Sequence, residues 1–226
     1  ALPAVLNTFG DHLSTRALRQ LHLLGVEVEL NTKVVNVDRT GIEVESERGH
    51  QRIPSMTKVW AAGVAAPPLA RKLAEATGAK IDRAGRIFVQ PDLTVPGHPE
   101  IFAIGDTIVI AGPDGNPIPG IAPAAKQQGR YVADSIKARL RGETPAPFRY
   151  KHAGSLAQIG KRKAVIDFGS IKLRGALAWW IWGIAHIYFL IGLRNRLSVA
   201  LTWLWVYARD QRAARLITQG SSKVGR

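Results

Sequence analysis

The chain of 226 residues contains no cysteine. This absence excludes a disulfide scaffold, a thiol nucleophile, a zinc–cysteine site and a cysteine redox pair. Six histidines are present, and their positions show no spacing typical of a metal site. We therefore expect no bound metal. The sequence also identifies no catalytic side chain, because no nucleophile can be paired with a base from spacing alone.

One glycine pattern is also missing, although glycine itself is abundant. None of the 22 glycines lies two positions from another, so the motif GxGxxG does not occur. That motif forms the loop that holds the pyrophosphate of a dinucleotide. The hydrophobic fraction of 46% is nevertheless enough for a packed core, which excludes a disordered chain.

Acidic residues are scarce in the second half of the chain. Residues 1–125 carry 12 Lys+Arg and 13 Asp+Glu, a balance of −1. Residues 126–226 carry the remaining 19 Lys+Arg and 4 Asp+Glu, a balance of +15. The second half therefore accounts for the whole net charge of +14. A one-sided basic excess predicts a polyanionic partner, which is either nucleic acid or an anionic membrane surface.

Short apolar segments alternate with helical patterns before residue 140, and this order favours an α/β fold. A helix is expected between an N-cap at Ser14 and a stop at Gly25. The other expected helices cover residues 67–76 and 124–140. Strands are expected at residues 26–30, 33–38, 42–47, 58–61, 87–89 and 101–104, and an antiparallel hairpin at 155–159 and 164–168.

Three motifs are candidates for a nucleotide site. VWAAG (59–63) ends a strand in small residues that can floor a nucleotide pocket, or that pack closely under a helix. IFAIGD (101–106) ends a strand at Gly105, and Asp106 can accept a hydrogen bond from a sugar or ribitol hydroxyl; an ordinary turn is the alternative. IAPAAKQQGRY (121–131) starts a helix whose free N–H groups suit an anion or an electron-rich ring; a polar surface turn is the alternative.

The C-terminal region is apolar and rich in tryptophan. Residues 175–193 form a run of 19 uncharged residues, and 197–208 form a second run of 12. As one helix, 19 residues reach roughly 28 Å, close to the hydrocarbon thickness of ~30 Å, so a spanning helix is one interpretation. A pair of soluble core helices is another. We favour two amphipathic helices that lie in the membrane interface, where tryptophan and tyrosine are enriched. The anchoring residues would be Trp179, Trp180, Trp182, Tyr188, Arg194, Arg196, Trp203 and Trp205.

Taken together, the order and spacing of these motifs resemble the type II NADH dehydrogenases, which are single-subunit membrane-peripheral NADH:quinone oxidoreductases. The resemblance covers essentially the whole chain. GSLAQIGKRKAVIDFG and AHIYFLIGLRNRL are its most specific stretches, whereas IFAIGD is shared by many flavoproteins. It implies a two-dinucleotide-binding-domain flavoprotein with partial Rossmann-like domains, of which this chain is the C-terminal part. Residues 1–79 would complete the NADH-binding domain, 80–148 would return to the FAD-binding domain, and 149–226 would form a hairpin and a membrane-anchoring region.

The resemblance also implies the roles of individual residues, with FAD and NADH as cofactors. Many family members carry AQxAxQ at the start of the helix that faces the flavin, with the last glutamine near the quinone. Gln127 matches that glutamine, Pro123 replaces the first, and Ala153 stands where many members have a lysine. The implied contacts are FAD with Gly105, Asp106, Pro123, Ala124 and Ala125; NADH with Ala62 and Gly63; and quinone with Gln127 and Gln128.

The implied activity is transfer of electrons from NADH through FAD to a membrane quinone without proton pumping, at the cytoplasmic face of the inner (plasma) membrane. Nucleic acid is not expected, because a groove for it would interleave aromatic and basic residues. Pairing of two chains is left open. The alternatives are a non-catalytic membrane-anchoring or interaction fragment, and another FAD-dependent pyridine nucleotide oxidoreductase. A sulfide:quinone reductase requires the cysteines that this chain lacks.

Overall fold

The structure is a computed structural model that describes residues 2–61, 63–112 and 115–209. The chain divides into two compact units: a terminal unit within residues 1–33, 45–49 and 154–226, and a central unit within 34–44 and 50–153. The elements in chain order are α1 (Gly10–Leu23), β1 (Lys33–Val37), β2 (Gly41–Ser46), β3 (Gly49–Pro54), α2 (Pro68–Thr77), β4 (Ile87–Phe88), β5 (Thr94–Val95), β6 (His98–Phe102), β7 (Ile108–Val109), α3 (Ala122–Leu140), β8 (Ser155–Gly160), β9 (Lys163–Asp167), β10 (Lys172–Arg174), α4 (Gly175–Phe189) and α5 (Leu193–Arg209).

The core of the terminal unit lies on the two faces of strand β9. This strand is the middle of an antiparallel sheet in the order β10-β9-β8. Because successive side chains of a strand point to opposite faces, Val165 packs with Phe9 and Leu13 of the α1 region. Ala164 and Ile166 instead pack against α4. The middle strand therefore holds both helices.

The central unit contains two small apolar clusters. In the first, α2 packs Ala70 and Ala74 against Ile87 of β4. In the second, Leu93, Ile108 and Ile110 pack under α3 and Phe148. Strands β4 and β7 pair in parallel, β5 and β6 pair antiparallel, and β1, β2 and β3 form a sheet in that order. The cluster of Leu93, Ile108 and Ile110 positions α3 beside the loop that follows β6.

Several sequence predictions are confirmed. The α/β class, the hairpin of β8 and β9, and helices α2 and α3 all occur as expected. Helix α2 ends at Gly78, whose φ of 69° is the left-handed conformation that glycine adopts without strain.

Other predictions are wrong. Residues 26–30 and 58–61 form no strand. Val59 and Trp60 stay 83% and 68% exposed, and no strand among the described residues pairs with them. Ser14 does not cap α1, which begins four residues earlier. It is buried inside the helix, where its hydroxyl donates a hydrogen bond to the carbonyl of Leu6 at 3.1 Å.

The uncharged run of residues 175–193 does not form one helix. Helix α4 ends after 15 residues at Phe189, Gly192 has a φ of 81°, and α5 starts at Leu193. Within the described part of the chain, no helix is both long and apolar enough to cross a membrane. Helix α4 carries apolar side chains around its whole circumference, so the amphipathic description does not fit it.

Candidate functional site

The glycine–aspartate turn after β6 lies against the start of α3. Gly105 begins a 3₁₀ turn, Gly105–Thr107, and has a φ of 75°. A Cβ atom added at Gly105 would lie 3.7 Å from the Cβ of Ala125. A side chain at this position would therefore be strained by its backbone and would also touch the helix. Glycine is therefore favoured at this turn by its backbone conformation, while the turn lies at ordinary contact distance from the helix start.

Gln128 ties this turn to α3. Its side chain is 3% exposed, and its Oε1 accepts a hydrogen bond from the backbone N–H of Gly105 at 2.7 Å. The bond joins residues 23 positions apart in sequence. No signal in the sequence predicts this contact, because an amide in a helix does not reveal which main-chain group it meets.

The neighbouring amide, Gln127, holds the segment that leads into the hairpin. Its Nε2 donates to the carbonyl of Lys151 at 2.9 Å, and the N–H of Lys151 donates to its Oε1 at 3.0 Å. Tyr150 precedes this segment, and burial raises the pKa of its phenol, so the hydroxyl stays protonated. Both glutamines expected at the quinone thus bind main-chain groups.

A small pocket of about 10 Å³ lies between the turn and the helix start. Its polar lining comes from Gly105, Asp106, Gly120 and Gln128, with Ala124 and Ala125 on the helix side. No side chain caps the first turn of α3, where Pro123 occupies one of the first two positions. The N–H groups of Ala124 and Ala125 donate to the carbonyl of Ile121, and the partial positive charge of the helix start suits an electron-rich ring or an anion. The pocket therefore combines an exposed carboxylate with a helix N-terminus.

The residues expected at NADH are not among those that line this pocket. Gly63 is exposed and has a φ of 73°. Ala62 lies outside the described residues. No group of three or more His, Cys, Asp or Glu that could hold a metal occurs among the residues that the structure describes.

The aromatic residues of the C-terminal region hold α4 and α5 together. Trp182 stacks on Trp203 with ring centroids 5.8 Å apart and planes 6° apart. Trp179 and Trp180 both contact Tyr207, which was not among the residues expected from the sequence. Trp179 is half-buried, whereas Arg194 is exposed. Arg212 and Arg215, basic residues that follow α5 in sequence, lie outside the described residues.

An apolar stripe remains uncovered on these two helices. Its members are at least 56% exposed and recur at helical spacing, and we define it as Leu177, Ile184 and Tyr188 of α4 with Leu197, Leu201 and Leu204 of α5. Two arginines lie over aromatic rings beside it. Arg196 is 5.4 Å from the ring centroid of Tyr188, and Arg209 is 4.4 Å from that of Trp205.

Replacing Gln128 by leucine will lower the free energy of unfolding by about 1–3 kcal/mol, because the partly buried N–H of Gly105 loses its acceptor. Urea unfolding followed by far-ultraviolet circular dichroism measures the change. Gln127→Leu is the matched control. Water can replace its bonds at the exposed Lys151, so we expect a change within about 0.5 kcal/mol. Equal losses in the two variants would contradict the role assigned to Gln128.

Comparison with known proteins supplies the family. Residues 1–129 match the pyridine nucleotide-disulphide oxidoreductase family, and residues 152–210 match the NDH2 C-terminal domain. The chain belongs to the pyridine nucleotide-disulphide oxidoreductase family. Two Mycobacterium tuberculosis relatives are similar to this family member: "Type II NADH:quinone oxidoreductase Ndh", 41% identical over 222 residues, and "NdhA", 43% identical over 209.

The same comparisons bear on the length and the fold of this chain. The matches cover 96% and 90% of the chain but 47% and 43% of the two relatives, so the chain spans about half their length. The solved structure of NDH2 from Plasmodium falciparum superposes with a TM-score of 0.80 at 18% identity. That superposition covers 91% of this chain and 57% of the other, and it shows a shared fold. The resemblance to type II NADH dehydrogenases is confirmed by these matches.

Proposed function

We propose that this chain forms part of an NADH:quinone oxidoreductase that passes electrons from NADH through FAD to a membrane quinone without pumping protons. One observation carries the proposal. The Gly105–Asp106 turn is fastened to the uncapped start of α3 in a chain 41% identical to a named type II NADH:quinone oxidoreductase. FAD, when bound, accepts a hydride from NADH and releases two electrons to a quinone.

The residues of the pocket fit this cofactor. The Asp106 carboxylate is exposed in the lining and can accept hydrogen bonds from ribitol hydroxyls. The partial positive charge at the start of α3 favours negative charge on a reduced flavin ring. Pro123, Ala124 and Ala125 present no bulky side chain at that helix start.

Gln127 and Gln128 act in this proposal through the main chain. Gln128 holds the N–H of Gly105 and thereby fixes the turn that carries Asp106. Gln127 bonds the main chain of Lys151 and thereby holds the segment before the hairpin next to α3. The quinone contact assigned to both amides stays a prediction, as do the NADH contacts of Ala62 and Gly63. The assignment of residues 1–79, 80–148 and 149–226 to three functional regions is likewise part of the proposal.

We further infer that the apolar stripe of α4 and α5 lies in the interface of a membrane, at its cytoplasmic face. An uncovered row of leucine, isoleucine and tyrosine that runs for roughly 16 Å along a helix is unusual for a surface in water. The flanking pairs of Arg196 with Tyr188 and Arg209 with Trp205 place cations beside interfacial aromatic rings. Trp182 and Trp203 would hold the two helices together at that surface. A second copy of the chain is the alternative occupant.

A chimera tests the enzymatic proposal. In it, this chain replaces the matching part of the Mycobacterium tuberculosis relative Ndh, so that the relative supplies the remaining length. We expect purified chimera to carry FAD and to oxidise NADH with a soluble quinone analogue as acceptor. A folded chimera that holds FAD but reduces no quinone would contradict the proposal. It would favour another pyridine nucleotide oxidoreductase, whereas a folded chimera without FAD would favour a non-catalytic anchoring role.

A further inference from the structure

The turn of the β8–β9 hairpin has an unusual sequence for its geometry. Strand β8 ends at Gly160 and β9 starts at Lys163, so Lys161 and Arg162 form a two-residue turn. Glycine or asparagine is favoured where a central residue of a turn has positive φ, and here that residue is the second one. Arg162 has a φ of 59°, a conformation that costs an L-residue conformational energy. Strain of this kind points to a role for the side chain.

The two cations of the turn, Lys161 and Arg162, both contact Tyr207 of α5. The Nε of Arg162 donates a hydrogen bond to the Tyr207 hydroxyl at 2.8 Å, and a second guanidinium nitrogen donates to the same oxygen. The Arg162 Cζ lies 5.4 Å from the ring centroid, and the Lys161 Nζ lies 4.9 Å from it. Tyr207 thus keeps two adjacent positive charges at one point of the terminal unit.

This point lies at one end of the apolar stripe. The Trp180 ring is 5.4 Å from the Tyr207 ring and is 45% exposed, one helical turn from Leu177, the stripe residue nearest the start of α4. Within one turn of Tyr207 on α5, Trp205 is 56% exposed beneath Arg209. Tryptophan and tyrosine beside cations are typical of the level at which lipid headgroups meet the hydrocarbon. A bilayer seated on the stripe would bring its headgroups next to Lys161 and Arg162.

We propose that Lys161 and Arg162 form a binding site for the phosphate of an anionic phospholipid headgroup, with Tyr207 as the positioning residue that orients them. Because Nε and one terminal nitrogen of Arg162 already donate to Tyr207, the other terminal nitrogen supplies the N–H donors for a phosphate oxygen, and the ammonium of Lys161 adds a second charge. The inference rests on the membrane association proposed above and names the lipid that this association selects.

The substitution Lys161→Asn with Arg162→Gly tests the site without weakening the hairpin. It removes both cations and places glycine at position 162, where the positive φ favours it, so a loss of binding cannot be attributed to unfolding of the turn. The matched control is Arg71→Gln with Lys72→Gln on α2, which removes the same charge from the central unit. Partition of the full chain is measured by co-sedimentation with vesicles of phosphatidylcholine alone and of phosphatidylcholine mixed with phosphatidylglycerol.

We expect the turn variant to lose about 25-fold in partition to the mixed vesicles, at about fivefold for each cation near the surface. Partition to phosphatidylcholine alone should stay unchanged, and the α2 control should keep its preference for the mixed vesicles. Tyr207→Phe retains the ring and removes the hydrogen-bond acceptor, so it should lose about two- to fivefold on mixed vesicles only.

Each of the following results would contradict the proposed headgroup site. Equal losses in the turn variant and the α2 control would indicate a diffuse attraction. An unchanged turn variant would exclude these cations. Inorganic phosphate that quenched tryptophan fluorescence as strongly as the mixed vesicles would identify a free anion as the ligand. If the unmodified chain bound neither vesicle, the proposed membrane association would fail with it. If it bound both vesicles equally, only the headgroup site would fail.

Discussion

Replacing Ile184 and Leu201 by aspartate will release the chain from phospholipid vesicles. These side chains are 64% and 66% exposed, one on each helix of the apolar stripe. Burying one aliphatic side chain contributes about 1.5–3 kcal/mol, so losing two removes about 3–6 kcal/mol before any cost of bringing carboxylates to the interface. We expect the fraction bound to phosphatidylcholine–phosphatidylglycerol vesicles to fall by at least ~100-fold in co-sedimentation.

The matched control for this prediction is Val59→Asp with Leu69→Asp. Both residues are large, apolar and at least 73% exposed, but they belong to the central unit. This pair should leave vesicle binding within about twofold of the unmodified chain, because surface changes away from an interface have small effects. Undiminished vesicle binding by the stripe variant would contradict the membrane assignment. A stripe variant that only converted a dimer to a monomer in sedimentation would assign the stripe to a second copy of the chain.

Replacing Ile166 by alanine will destabilise the terminal unit by about 2–5 kcal/mol, the range for removing a fully buried isoleucine. Ile166 of β9 is 0% exposed and packs against Ala178 of α4, with Leu156 and Leu173 around it. The lost contacts include those that hold α4 on the sheet. Vesicle binding should therefore fall as well, although no stripe residue is altered. Urea unfolding followed by far-ultraviolet circular dichroism measures the loss.

Ile171→Ala provides the comparison for this core substitution. Ile171 lies between β9 and β10 and is 56% exposed, so the same change of side chain should cost no more than about 0.5 kcal/mol. A difference between the two variants smaller than about 1 kcal/mol would contradict the packing of α4 on β9.

Local signals in the sequence predicted the local elements. The Gly78 stop of α2 and the alternation of β8 and β9 depend on neighbouring residues, and both predictions are confirmed. In α3, the repeat of Val132, Ile136 and Leu140 correctly predicted a helix. Yet Ile136 and Leu140 are 44% and 84% exposed, so the repeat did not identify the buried face.

Elements that depend on distant partners were predicted less well. Residues 58–61 have the composition of a strand, but strand formation requires a neighbouring strand, and none pairs with them among the described residues. For the same reason, the partners of Gln127 and Gln128 are not visible in sequence, since each bond spans more than 20 residues. The Gly105–Asp106 turn and the helix start at Pro123 were predicted because strand ends, glycine and proline mark them directly.

The two half-reactions of the chimera test the central claim most directly. The chimera joins this chain to the remaining part of the Mycobacterium tuberculosis relative, and its flavin absorbance is followed anaerobically. We predict that NADH bleaches the flavin band and that a quinone then restores it within the enzyme's turnover time. A flavin that NADH bleaches but no quinone reoxidises would contradict the account.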